Sequence, residues 1–218
     1  MKALDGNVVR TQRTRRRILE EAQRQFNELG EANVTTGAIA GALGISPGNL
    51  YYHFRNKDAI VEELFRGFEA RMAVEPGAAA DAAGAIEDLW LYLHLMLEAI
   101  WDFRFLYRNM DDLLARNRRL REHFNRIADR KLDAVARLCE GLVQAGAMRA
   151  SPEEIRALAR NVLVVATYWL HFKALRGGRE RDAADLGQGA YQVMALVAPY
   201  LAGEARRHLD LLSRAYLD

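Results

Sequence analysis

Apolar residues recur at intervals of three and four along almost the whole chain, and no stretch keeps up a strict apolar–polar alternation, so the pattern predicts an all-α protein. A first helix is expected from about Thr11 to Leu29. It places Ile18, Ala22, Phe26 and Leu29 on one face and has Gly30 to end it. Thr35 then opens a short helix whose Ile39, Ala40 and Leu43 face inward. Gly44 permits a turn. Ser46 is placed to cap a third helix, with Pro47 at its first position, where a missing N–H costs little, and Leu50 and Phe54 as anchors. Asn56 is placed to cap a fourth helix, from Lys57 to near Met72, carrying Ile60, Leu64 and Phe68.

Glu75-Pro76-Gly77 and the alanine-rich stretch up to Gly84 form a break, and the remainder reads as a second, larger helical domain. Helices are expected at about Ala82–Asp102, Phe105–Ala115 and Arg118–Ala145, the last stopped by Gly146. Ser151-Pro152-Glu153-Glu154 is a strong start signal: a capping serine, a proline at the first position and a glutamate three residues on. That helix runs to Leu175 before Gly177-Gly178; another covers about Ala183–Tyr200, where Pro199 would bend it. An amphipathic segment with Leu209, Leu212 and Tyr216 follows. The expected division is residues 1–56 as a helix-turn-helix domain, 57–76 as a connecting helix and 77–218 as the larger domain.

The 218 residues, half of them hydrophobic, suffice for one large domain or two modest ones. The net charge of +2 says little about partners, but its distribution does: Arg10, Arg13, Arg15, Arg16 and Arg17 cluster with no acidic residue among them. Cys139 is the single cysteine, which excludes an intrachain disulfide and fits a reducing compartment. Its neighbours Leu138, Leu142 and Val143 make it a small hydrophobe rather than a nucleophile. The chain opens with no apolar leader, and its longest apolar run, Val162 to Leu170, is too short to span a bilayer. No membrane partner and a cytoplasmic location are therefore expected. HExxH, a glycine-rich phosphate loop and a nucleophile elbow are absent, and His53, His94, His123, His171 and His208 lack metal-ligand spacing, so neither enzymatic activity nor a cofactor or metal is expected. A helical scaffold without DNA binding is the competing reading of such a chain.

Two short helices joined at Gly44-Ile45-Ser46, with cations upstream, have the form needed to enter a DNA major groove. With Leu50 and Phe54 inward, the third helix turns Gly48, Asn49, Tyr52 and His53 outward. Gly48 allows close backbone approach, and Asn49 suits base edges or phosphate. The hydroxyls of Tyr51 and Tyr52 suit phosphate oxygens, Lys57 adds charge, and Thr35 and Thr36 lie at a helix start that favours an anion. Arg15 and its neighbours supply an arm expected to reach the minor groove.

The run Arg17-Ile18-Leu19 through Phe26, Gly30, Thr35, Ile39-Ala40, Gly44-Ile45-Ser46, Gly48, Leu50-Tyr51, His53-Phe54 and Lys57 resembles the DNA-binding domain of the TetR family of bacterial repressors. The resemblance covers about the first quarter of the chain. It implies an all-α protein with three DNA-binding helices and a larger helical domain that binds a ligand and dimerises. It also implies phosphate contacts for Thr35 and Lys57, base-proximal places for Pro47 and Asn49, and backbone or base-edge contacts for Tyr51, Tyr52 and His53. Where many members carry a basic residue, two places after the threonine, this chain has Gly37, which shifts base readout toward the third helix and the arginines.

The larger domain carries a cluster of big side chains that would enclose a cavity or form a solid core. The resemblance favours a cavity for a largely apolar small-molecule effector, with Trp90, Leu93, His94, Leu97, Trp101, Phe105, Phe124 and Tyr168 as candidate contacts. The helix beginning at Ser151 is apolar nearly all round from Val162 to Trp169 and must be covered on two sides, either within one subunit or by a second copy. The expected interface is a four-helix homodimer contact through Val162, Val165, Trp169, Phe172, Tyr191, Met194, Val197 and Leu201. Two recognition helices held about 34–36 Å apart would then match a palindromic double-stranded operator.

Overall fold

Short-range hydrogen bonds that the sequence specifies set the helix ends of this protein. In a computed structural model, which describes residues 2–76, 82–176, 183–214 and 216, the Thr35 hydroxyl accepts from Ala38 N at 3.1 Å, the Ser46 hydroxyl from Asn49 N at 3.2 Å and the Asn56 carbonyl from Ala59 N at 2.9 Å. Ser151 and Glu154 exchange side-chain and backbone bonds in a complete capping box. The resulting helices are α1 (Lys2–Leu29), α2 (Thr36–Ala42), α3 (Pro47–His53), α4 (Lys57–Met72), α5 (Ala82–Asp102), α6 (Arg104–Arg108), α7 (Met110–Arg116), α8 (Arg118–Gln144), α9 (Pro152–Leu175), α10 (Ala183–Val197) and α11 (Gly203–Arg214). Among the described residues no strand occurs, only an isolated bridge between Met148 and Leu201, and the fold is all-α. Single-turn 3₁₀ segments lie at Glu31–Asn33 and Ala198–Tyr200, the latter where Pro199 ends α10. The segment expected as one helix over 105–115 is two, α6 and α7, separated at Asn109. The breaks expected at Gly77 and Gly177-Gly178 lie outside the described residues.

The chain divides into two units. One holds the chain through Ala70 together with Phe103–Leu120; the other holds Arg71–Asp102 and the chain from Arg121 onward. In the first unit, Ile18, Ala22 and Phe26 of α1 form a core with Ile39, Ala40, Leu50 and Phe54, all essentially inaccessible to water. Phe105 of α6 joins that core, its ring 5.3 Å from that of Phe26, while Phe68 of α4 meets Phe103 at 5.7 Å and Tyr107 at 5.8 Å. Such offset aromatic contacts add directional preference to burial, and losing one of these rings would cost about 3–5 kcal/mol.

Polar ties hold α6 and α7 in the same unit. The Asn27 side-chain oxygen accepts from Phe105 N at 3.0 Å, and Arg108 donates to the Asn27 carbonyl. Glu31, wholly buried, is flanked by Lys57 Nζ at 3.0 Å and by Arg116 Nη2 at 2.5 Å. A buried carboxylate persists only with such partners.

In the second unit, α5, α9, α10 and α11 pack on one another, with Ile86, Leu89, Leu93, Val162, Ala166, Leu170, Val193, Val197 and Leu209 at the centre. On α8, Cys139 is buried and its thiol is pushed up to about 12 by that burial, so it stays protonated and inert. Lys131 of α8 is also buried. Its ammonium lies 4.5 Å from the Tyr92 ring centre and donates to Val74 O at 3.3 Å. Among the described residues no helix is long and apolar enough to cross a membrane.

Candidate nucleic-acid interface and ligand pocket

The α2–α3 turn closes through Gly44, whose φ of +65° is open to glycine at little cost. Ile45 N bonds back to Ala40 O and Gly44 N to Gly41 O, the paired bonds of a Schellman ending. This fixes the direction in which α3 leaves, with Leu50 and Phe54 inward and Pro47, Gly48, Asn49 and Tyr52 outward. Tyr52 is 78% exposed, and its ring meets the His53 ring edge-on. A large aromatic left in water beside a glycine and an asparagine is a surface shaped for a partner. Tyr51 is less free: its hydroxyl bonds the Thr36 hydroxyl at 3.0 Å and ties α3 to the first turn of α2. His53 is held below the usual histidine range by burial and then by the Arg15 charge, so at neutral pH it is a neutral hydrogen-bonding ring.

Two cations expected at DNA are occupied within the unit. Arg15 donates to the His53 carbonyl at 3.2 Å, pairs with Glu63 at 2.5 Å and lies 4.3 Å over the Phe54 ring. It therefore caps the end of α3. Lys57 places its ammonium near three oxygens: Glu31 O at 2.9 Å, Val34 O at 3.1 Å and Glu31 Oε1 at 3.0 Å. Two of its three N–H donors go to the carbonyls, and its charge lies against the Glu31 carboxylate, so Lys57 is a tie within the unit. The sequence signal missed was Glu31, a carboxylate in the loop opposite Lys57.

The arginine-rich segment differs from the expected arm. Arg10 to Arg17 are helical within α1, and a helix about 10–12 Å across does not fit a minor groove about 6 Å wide. Helical spacing instead aligns Arg10, Arg13 and Arg17, all exposed, along one stripe. Arg16 pairs with Glu20.

The expected effector residues are not gathered into one place. Phe105 is in the core of the first unit, and Tyr168 is largely exposed on α9. Phe124 is half-buried on α8, and Leu93 is buried in the second unit. Leu97 and Trp101 of α5 do meet, with Ile100, Ala166, Trp169, Leu170 and Gly189, around an apolar slot of about 10 Å³, room for about one water. Gly189 is required there, because a Cβ on it would stand 2.8 Å from the Trp169 ring. Trp90 and His94 stack on each other, with ring centres 5.4 Å apart, and face Tyr216. A larger groove of about 140 Å³ lies between α10 and α11, edged by Arg206, Asp210 and Ser213 and floored by Met194, Ala198 and Leu209. No sequence pattern marked it, since its walls come from two helices and the intervening 3₁₀ turn.

Of the expected interface residues, Val162, Met194, Val197 and Leu201 are buried within the unit, Val165, Trp169 and Tyr191 are half-covered and Phe172 is exposed. The face of α9 that stays in water carries Val164, Tyr168, Phe172 and Leu175, the last 86% exposed.

Comparison with known proteins matches these features to one group. The profile described as "Bacterial regulatory proteins, tetR family" fits residues 18–64, and the TetR profile, "Bacterial transcriptional repressor", fits residues 60–209. A TetR-family transcriptional regulator from Marinobacter aquaeolei of known structure is 36% identical, with 93% of this chain and 98% of that one covered and a TM-score of 0.78. The ketosteroid transcriptional regulator KstR2 of Mycobacterium tuberculosis, 22% identical over 87% of this chain and 96% of its own, shares the fold at a TM-score of 0.65. In sequence, the HTH-type transcriptional repressor Rv1474c of M. tuberculosis is 42% identical over 59 residues. That match spans 27% of this chain and 32% of the relative, so likeness to the curated relatives covers about a third of their length. These relatives are transcription regulators, not enzymes. With both profiles matched and a solved relative alike over 93% of this chain's length, the chain belongs to the TetR family of bacterial transcriptional regulators.

Proposed function

We propose that the protein is a cytoplasmic homodimeric repressor that binds a palindromic operator through α3 and is released from it by a small, largely apolar effector. The outward face of α3 and the cationic stripe of α1 carry this reading: Gly48, Asn49 and Tyr52 would face the bases and nearby phosphates, and Arg10, Arg13 and Arg17 further phosphates. Thr35, Thr36, Pro47, Tyr51 and His53 complete the proposed contact surface, while Arg15 and Lys57 support it from within. The Val164–Leu175 stripe on α9 supports dimerisation, because a lone subunit would leave these side chains in water. The slot lined by Trp101 and Trp169 supports effector entry among α5, α9 and α10, which would have to part to admit more than a water. α4 begins in the first unit and ends in the second, so an effector that favours one setting of α5 would act on the reader through it. Coupling of this kind is reciprocal: DNA must weaken effector binding by the same factor.

Selection of bound duplexes from a random pool, repeated over a salt series, tests the reading. The expected result is a two-fold symmetric sequence with half-sites about one helical turn apart and steep loss of affinity with salt. Failure to enrich any duplex would overturn it.

A further inference from the structure

α5 places Trp90, His94 and Glu98 four residues apart and therefore on one face. The indole and imidazole rings are stacked within 16° of parallel. His94 Nε2 lies 3.3 Å from a Glu98 oxygen, and Nδ1 lies 2.7 Å from the Tyr216 hydroxyl. With the Glu98 carboxylate facing Nε2, the tautomer protonated there leaves Nδ1 to accept from the Tyr216 O–H. The Trp90 nitrogen is buried without a hydrogen-bond partner, and burial raises the Tyr216 phenol above its ordinary range. On the other side the ring lies against Gly187 of α10, where a Cβ would stand 3.4 Å from a ring carbon. An aromatic wall, a backbone wall and an imidazole nitrogen thus meet one phenol.

We propose that the Trp90–His94–Gly187 recess is a binding site for phenolic ligands, which Tyr216 occupies as an internal stand-in. The walls belong to α5 and α10, whereas the occupant lies two residues beyond α11, where its N–H bonds Ser213 O at 3.1 Å. A free phenol entering the recess reproduces the Tyr216 contacts and displaces its side chain. The ring gives affinity, and the hydroxyl gives selectivity, since without it Nδ1 loses its partner. The proposal deepens the effector reading above, and only its consequence for DNA rests on that reading.

Calorimetric titration of the full-length protein with p-cresol, which is the tyrosine side chain freed from its backbone, and with toluene, which lacks the hydroxyl, tests the site. Wild type is expected to bind p-cresol in preference to toluene. Tyr216→Ala should tighten p-cresol binding by about tenfold or more, because the internal competitor is gone. His94→Leu should erase the preference for the hydroxyl. Equal affinity of wild type for the two probes, no binding of p-cresol, or p-cresol affinity unchanged by Tyr216→Ala would each overturn the site. The wild-type comparison of the two probes decides even where a variant does not fold. If p-cresol binds with the expected preference while operator affinity stays the same, the site stands and the effector reading falls.

Discussion

At the scale of single residues, charge is assigned by what lies opposite in the fold. Lys57 and Tyr52 sit five residues apart on the reading unit, and their replacement should have opposite effects. Lys57→Met strips Glu31 of one cation and two carbonyls of their donor, and should cost on the order of 3 kcal/mol in a denaturant melt. Tyr52→Ala should leave the melt unchanged within about 0.5 kcal/mol. It should weaken operator binding by about 1 kcal/mol, roughly fivefold, in a fluorescence titration. Lys131 offers a test by pH. Burial pushes its ammonium down to about 8, against 10.5 when unfolded. Between those values the unfolded chain binds the extra proton, so stability rises as pH climbs from 8 toward 10.5, and below 8 the full penalty of about 3 kcal/mol is felt. Lys131→Met should be more stable than wild type at pH 7, with the difference shrinking toward pH 10.5; melts across that range check the sign.

At the scale of elements, the caps were the most legible feature. Ser46, Asn56 and Ser151 each cap the helix their sequence marks, because a cap is a bond between residues three apart. What sequence hid was long-range. Phe105 reads like any aromatic of an effector pocket, yet it packs on Phe26, 79 positions earlier by subtraction of their numbers. On α9, apolar residues on every side leave no polar face to show which way the helix turns, so Val162 and Val164 are indistinguishable until α5 and α10 cover one of them. The arginines of α1 were legible as a cluster but not as a helix face. Replacing Arg10, Arg13 and Arg17 with alanine should lower the salt dependence of operator binding by roughly 0.9 in the log–log slope for each phosphate contact removed. Sequence preference should stay unaltered; a selection experiment on the triple variant reads both.

At the scale of the whole molecule, the proposed dimer makes the α9 stripe decisive. Tyr168→Glu combined with Phe172→Glu puts charge where a second copy would bury it, while both positions stand in water in the single subunit. Sedimentation should then show a folded monomer whose operator affinity falls by at least about a hundredfold, since each head would bind alone. A dimer that survives both changes would place the interface elsewhere.

The return of Phe103–Leu120 to the first unit bears on how such a protein can be cut and recombined. A fragment ending at Ala70 would carry α1 to α3 with α4 short of its last two residues, and still lack the rings that cover Phe26 and Phe68 and the guanidinium that shares Glu31. The reader is thus not a bead on a string. A chimaera that borrows only its opening seventy residues inherits an unfinished core, and a graft keeps the head intact only if Phe103–Leu120 travels with it.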